Sequence, residues 1–143
     1  MKNQLRERGV VMPDPDAVYD RTEEIDLAAL EPLAAAPHSP DRIVTVASLA
    51  GTPVQQVLVG SCTNSSVRDI RTVAAILKGR RIDPEVSFGV APGSRQVLAM
   101  ASADGSLTDL IDAGARILES ACGFCIGNSM SPPTDAVSLR TNN

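Results

Sequence analysis

Three cysteines make up the thiol inventory of this 143-residue chain: Cys62 in VLVGSCTNSS, and Cys122 and Cys125 in ESACGFCIGNS. Each follows an apolar run and is flanked by Gly, Ser or Asn, residues that turn a chain and let a ligand approach the backbone closely. A CxxC pair offers two soft sulfurs from one tight turn. A third thiolate from elsewhere completes a face suited to zinc or to an iron-sulfur cluster. A closed zinc site wants a fourth protein ligand, and the single histidine, His38, lies in a proline-rich stretch with nothing marking it as a partner. Three thiolates around a four-iron cluster leave one iron open to act as a Lewis acid. On spacing alone the bland readings stand beside this one: a redox dithiol at Cys122 and Cys125, or packed thiols with Cys62 as a small buried hydrophobe.

The elements around the cysteines have a regular pattern. VQQVLVGS (54 to 61) is a β-branched run ended by Gly60, and the helix after it repeats Val67, Ile70, Ala74 and Leu77 on one face. Ser65 or Ser66 can cap that helix, Asp69 lies near its positive end, and Lys78, Arg80 and Arg81 follow around Gly79. The unit repeats. VSFGVAPGS (86 to 94) reads as strand and turn, RQVLAMASA as the start of a helix that SLTDLIDAG continues or restarts, and ARILES (115 to 120) as a third strand. Strands alternating with helices predict an α/β fold of three layers, a mostly parallel sheet with helices on both faces, in which ligands sit beyond the carboxyl ends of the strands. All three cysteines follow a strand end, and neighbouring parallel strands would bring them together.

The domain division expected is an irregular lead-in over residues 1–42 and an α/β domain over 43–143. Residues 1 to 20 are polar and aperiodic, with Pro13 and Pro15. Residues 21 to 42 carry Ile25, Leu27, Leu30 and Leu33 between prolines that break any long helix, which reads as a strand or short turn and then a loop. Composition excludes several classes. Aromatic content is 2%, which leaves no base-stacking platform, and a net charge of −4 disfavours nonspecific binding to nucleic acid or an anionic membrane. No apolar run approaches the roughly 20 residues that span a bilayer, and the start lacks the apolar core of a signal peptide. An odd cysteine count in a chain so read points to a cytoplasmic setting with free thiols, metal ligation or catalysis in place of a disulfide framework.

GSCTNSS at 60 to 66, APGS at 91 to 94 and GARILESACGFCIG at 114 to 127, in this order and spacing, resemble the cluster-binding region of the aconitase family of hydro-lyases. The resemblance covers residues 54 to 143 most strongly and implies part of the family's third domain. It implies that Cys62, Cys122 and Cys125 ligate a 4Fe-4S cluster whose unligated iron binds the hydroxyl and carboxylate of a tricarboxylate, with citrate converted through cis-aconitate to isocitrate in the tricarboxylic acid cycle. It places Asn143 where a cluster-adjacent asparagine is expected. Ser61 and Asn64 flank a ligand and either hydrogen-bond cluster sulfur or substrate, or satisfy backbone groups at a helix start. Ser94 and Arg95 have the same two readings, and the PGS turn reads as a structural turn beside the cluster. Met12, Met100 and Met130 read as packing.

The family's catalytic serine and substrate arginines have no counterpart here, and the stretch ends at LRTNN where a TNNRNF-like segment is expected. The chain therefore reads as a fragment without catalytic residues of its own and without aconitase activity alone, dependent on the remaining domains of the enzyme. Phe124 stands where aconitases most often carry proline, which removes one source of stiffness from the CxxC turn. CGFCIGNS and SCTNSS are nearer to aconitase than to the large subunit of isopropylmalate isomerase, which resembles CSMCLGMN and SCTNGR. That subunit, homoaconitase, and a noncatalytic cluster or metal carrier are the alternatives.

Overall fold

Strand β1 (Leu33–Ala35) pairs antiparallel with β2 (Ile43–Thr45), Ala35 opposite Ile43, in a computed structural model that describes residues 12–141. These strands belong to a unit ending at Ala50, and a second unit begins at Gly51. His38 occupies the loop between β1 and β2 with a left-handed backbone, φ 78°. Ile25, Leu27 and Leu30, which precede β1, are exposed.

In the second unit, β3 (Gln56–Gly60), β4 (Ser87–Ala91), β5 (Arg116–Ile117) and β6 (Ser138–Arg140) form one parallel sheet in the order β5-β4-β3-β6. The helices are α1 (Val67–Leu77), α2 (Arg95–Ala103) and α3 (Ser106–Ala113). Ser66 is the cap of α1: its hydroxyl accepts from the Asp69 N–H at 3.3 Å while the Asp69 carboxylate accepts from the Ser66 N–H at 2.9 Å, a reciprocal capping box. Ser94 caps α2 by accepting from the Val97 N–H at 3.1 Å. The apolar pattern restarts at α3 because Gly105, φ 85°, breaks the helix.

Strand alternation sorts the core into two layers. Val57, Val59, Phe88 and Val90 face Ile70, Ala74, Ala101 and Leu110 of the three helices. Leu58 and Ala91 point to the opposite face, where Leu118, Phe124 and Met130 cover them. The architecture is a three-layer α/β arrangement: helices, parallel sheet, and a cover built from the 3-10 turn Phe124–Ile126 and its flanks. Gly89 leaves room for that cover, since a Cβ there would lie 2.7 Å from Met130 Sδ and 2.9 Å from Leu58 Cδ2 and both side-chain ends would have to shift.

Two sequence expectations change. The strands before Cys62 and before the CxxC pair, β3 and β5, are not neighbours, because β4 lies between them. The two motifs meet because the connection from β5 to β6 crosses the second face from one sheet edge to the other. The strand read over 115 to 120 is also shorter, with pairing confined to Arg116 and Ile117.

Candidate functional site

The β3 turn and the β4 turn lock to each other at the carboxyl edge of the sheet. The Ser61 N–H donates to the Ala91 carbonyl at 3.1 Å, and the Gly93 N–H donates to the Ser65 carbonyl at 3.2 Å. The buried Ser65 hydroxyl closes the same turn by donating to the Ser61 carbonyl. A Cβ on Gly60 would fall 2.1 Å from the Ala91 oxygen, and one on Gly93 would fall 2.7 Å from Ser65 Oγ. The APGS stretch is thus a structural turn whose missing side chain lets the Cys62 turn sit against it.

Ser61 is buried, with 4% of its surface exposed, and holds a left-handed backbone at φ 79°, where a residue with a Cβ is uncommon. That conformation aims its hydroxyl between the motifs: Ser61 Oγ is 3.8 Å from Cys62 Sγ and 3.6 Å from Cys125 Sγ. Cys62 and Cys122 are exposed and Cys125 is half-buried, and all three are free thiols. The Thr63 hydroxyl, 3.6 Å away, and then those of Ser61 and the Cys122 thiol hold the Cys62 thiol below its ordinary range. Cys122 is pushed the other way, first by its hydrogen bond and charge interaction with Cys125 and then by Cys62. The Ser61 hydroxyl is the contact that Cys62 and Cys125 share.

Among the described residues, no three His, Cys, Asp or Glu side chains are gathered closely enough to ligate a single metal ion. The donor set is three thiols with hydroxyls around them, soft and without a carboxylate or imidazole. In a four-iron cluster each thiolate sits on its own iron, so the sulfurs stand farther apart than around one shared ion. An open cleft of about 440 Å³ runs along Ile117–Glu119 and the Cys122–Phe124 turn, with Asn128 and Ser129 opposite, and Cys122 is the one thiol that lines it.

Asn64 has a structural contact that its sequence position does not announce: its amide donates to the Thr141 carbonyl. The Thr141 hydroxyl accepts from the Gly60 N–H at 3.0 Å, and its N–H donates to the Leu58 carbonyl at 3.1 Å. The segment after β6 is therefore fastened beside the Cys62 turn, although Asn143 itself lies outside the described residues. Ser94 serves as a helix cap, Met130 is buried in the cover layer, and Met100 is exposed on α2.

Phe124, read from sequence as a lost proline, is 1% exposed and anchors the CxxC turn in the second core layer. Its signal was available: a lone aromatic between two cysteines in a chain with 2% aromatic content. Thr141 and Arg140 carried no comparable signal.

Residues 45–143 match the family described as "Aconitase family (aconitate hydratase)". The chain is similar to 3-isopropylmalate dehydratase large subunit 2 of Rubrobacter xylanophilus, 42% identical over 117 residues, covering 82% of this chain and 28% of that protein. It is 45% identical over 118 residues to the homoaconitase large subunit of Thermus thermophilus, with 82% and 28% covered. The match to the 3-isopropylmalate dehydratase large subunit of Sulfurihydrogenibium sp. is 40% over 143 residues and takes in 99% of this chain and 33% of that protein. The chain thus spans about a third or less of the length of these curated relatives.

Proposed function

This chain belongs to the aconitase family, and we propose that it is the cluster-bearing part of a hydro-lyase large subunit of the 3-isopropylmalate dehydratase and homoaconitase type. In this reading Cys62, Cys122 and Cys125 hold a 4Fe-4S cluster. The observation that carries it is the Ser61 hydroxyl, within 3.8 Å of Cys62 and 3.6 Å of Cys125, which ties both cysteine motifs to one sheet edge. The relatives named above, large subunits in each case, support this branch of the family over the aconitate hydratase assignment favoured by the cysteine motifs. Aconitate hydratase remains the second reading, carried by SCTNSS and CGFCIGNS.

When bound, the cluster would supply an iron without a protein ligand, able to polarise the hydroxyl that leaves from a hydroxy di- or tricarboxylate. The chain's own residues would hold and shield it. The Ser61 hydroxyl lies against two of the three sulfurs, that of Thr63 against one, and Asn64 fixes the segment that leads to Asn143. Elimination also needs a base on the neighbouring carbon and cations for the carboxylates, which we assign to further domains or a partner subunit. Three free thiols suit a reducing, cytoplasmic setting. Among the described residues no helix is long and apolar enough to cross a membrane.

Anaerobic reconstitution of the chain with iron and sulfide tests the reading. The expected product has broad visible absorption and about four irons per chain, lost in Cys62→Ser, Cys122→Ser and Cys125→Ser. A chain that stays colourless would leave the dithiol reading, and one that hands its cluster to an acceptor would favour a carrier. Combined with the remainder of a large subunit and a partner subunit, the loaded chain should dehydrate 3-isopropylmalate in preference to citrate. The reverse preference would establish the second reading.

A further inference from the structure

The face of the sheet beneath the CxxC turn carries a polar group among apolar neighbours. Gln56 is 1% exposed at the start of β3, and its register partner on β6 is Ser138, with Arg140 opposite Leu58. Residues 56, 138 and 140 therefore share the face that Phe124 and Met130 cover. The Ser138 hydroxyl donates to Gln56 Oε1 at 2.7 Å, and Arg140 Nη2 reaches the same oxygen at 3.5 Å. Arg140 Nε donates to Ser138 Oγ at 2.9 Å, and Gln56 Nε2 donates to the Met130 carbonyl at 3.4 Å. Arg140 Nη1 then donates to the Phe124 carbonyl at 2.9 Å, inside the CxxC turn itself. Among the described residues no carboxylate pairs with Arg140. The guanidinium fork is occupied by uncharged acceptors, which makes it a device for geometry.

We propose that Arg140, held by Gln56 and Ser138, is a positioning residue that sets the CxxC turn at the height on the sheet where Cys122 and Cys125 meet Cys62. Phe124 fixes that turn through its side chain and Arg140 through its carbonyl, so the residue between the two cysteines is gripped on both sides. The Gln56 links of the network span 74 to 84 residues of sequence, and the Arg140 link to Phe124 spans 16. Its bearing on a cluster rests on the function proposed above, whereas its grip on the turn does not.

The test uses the full reduced chain and three variants, Arg140→Met, Arg140→Lys and Ser138→Ala. Without metal, amide exchange of residues 123–131 and alkylation of Cys125 should quicken roughly tenfold to a hundredfold in Arg140→Met, as loss of a charge-assisted hydrogen bond implies. Exchange in α1 and α3 should hold its rate. Lysine should restore part of the protection, and Ser138→Ala should loosen the same segment less. Unchanged exchange of the turn, or acceleration shared equally with α1 and α3, would overturn the positioning role. After anaerobic reconstitution, Arg140→Met should hold less iron and give a shifted electron paramagnetic resonance spectrum on reduction. Identical iron content and spectrum would overturn the role toward the cluster. If the parent chain takes up no cluster, the proposed function fails while the exchange data still decide the positioning role.

Discussion

The Ser61 hydroxyl lies 3.6 Å from Cys125 Sγ across 64 residues of sequence, so a single buried side chain touches both halves of the thiol site. It does so from a left-handed backbone that its own side chain disfavours. A conformation of that kind costs about 1 kcal/mol or more for a residue with a Cβ. The compensation comes from the Ala91 and Ser65 bonds that hold the turn in place.

Ser61→Gly and Ser61→Ala separate these two effects. Both remove the hydroxyl, and glycine also relieves the backbone. In urea unfolding of the reduced chain, Ser61→Gly should be more stable than Ser61→Ala by about 1 kcal/mol. Both should lower the reactivity of Cys62 toward alkylation near neutral pH, since a donor that stabilises its thiolate is gone. Equal stability of the two variants would show that the backbone at 61 carries no strain.

Gly60 and Gly79 both have positive φ, 112° and 71°, but their surroundings differ. A Cβ at 60 would strike the Ala91 oxygen at 2.1 Å, and one at 79 meets nothing within 4 Å. Gly79→Ala should therefore cost about 1 kcal/mol, the conformational term alone. Gly60→Ala should cost about 4 kcal/mol or more and part the Cys62 turn from the β4 turn. Denaturant midpoints for the two variants, measured side by side, give the comparison.

Phe124→Ala removes a 1% exposed ring from the smaller core layer and should destabilise the second unit by about 3–5 kcal/mol. Phe124→Leu keeps most of the volume and should cost less. Urea unfolding followed by circular dichroism checks the order. A small loss in the alanine variant would mean that the Arg140 contact alone holds the CxxC turn.

Asp104 ties the end of α2 to α1 and α3. The Ser106 hydroxyl and N–H, the latter 3.0 Å from the carboxylate, and then the Arg71 guanidinium at 2.6 Å hold its pKa down to about 2. A folded value below the unfolded carboxylate value, about 3.9, stabilises the fold above about pH 4. That contribution fades as pH falls through about 2. Asp104→Asn should be less stable at neutral pH and show a flatter loss of stability between about pH 4 and 2. A variant with the same acid limb as the parent would exclude this group as its source.

The parts of the fold that were legible in sequence are those fixed by near neighbours. The Ser66 cap and the Ile70, Ala74 and Leu77 repeat define α1, and the runs ending at Gly60 and Ala91 define β3 and β4. What escaped is held by distant partners. Ser138–Arg140 is a three-residue strand with little β character of its own, and pairing with β3 makes it one. The placement of β4 between β3 and β5 is likewise a matter of sheet order, which local pattern does not encode. The cysteine triplet stands out in the sequence because its chemistry would be carried by residue type. Of its supports, Thr141 and Arg140 act through contacts that exist only after folding.

Cys62 and Cys122 should titrate apart. Thr63 first, then Ser61 and Cys122, stabilise the Cys62 thiolate, whereas Cys125 and then Cys62 oppose ionisation of Cys122. Alkylation of the reduced, metal-free chain across pH, read by peptide mass, should give a midpoint for Cys62 below the ordinary cysteine value, about 8.5, and one for Cys122 above it. Thr63→Val should move the Cys62 midpoint upward, since its largest hydrogen-bonding partner is gone. Cys125→Ser should bring the Cys122 midpoint down more than Cys62→Ser does, because Cys125 is the stronger of its two opponents. Coincident midpoints for Cys62 and Cys122 would mean that the sulfurs do not sense one another in solution. The shared neighbourhood on which the proposed cluster binding depends would then need another origin, such as closure of the turn around iron.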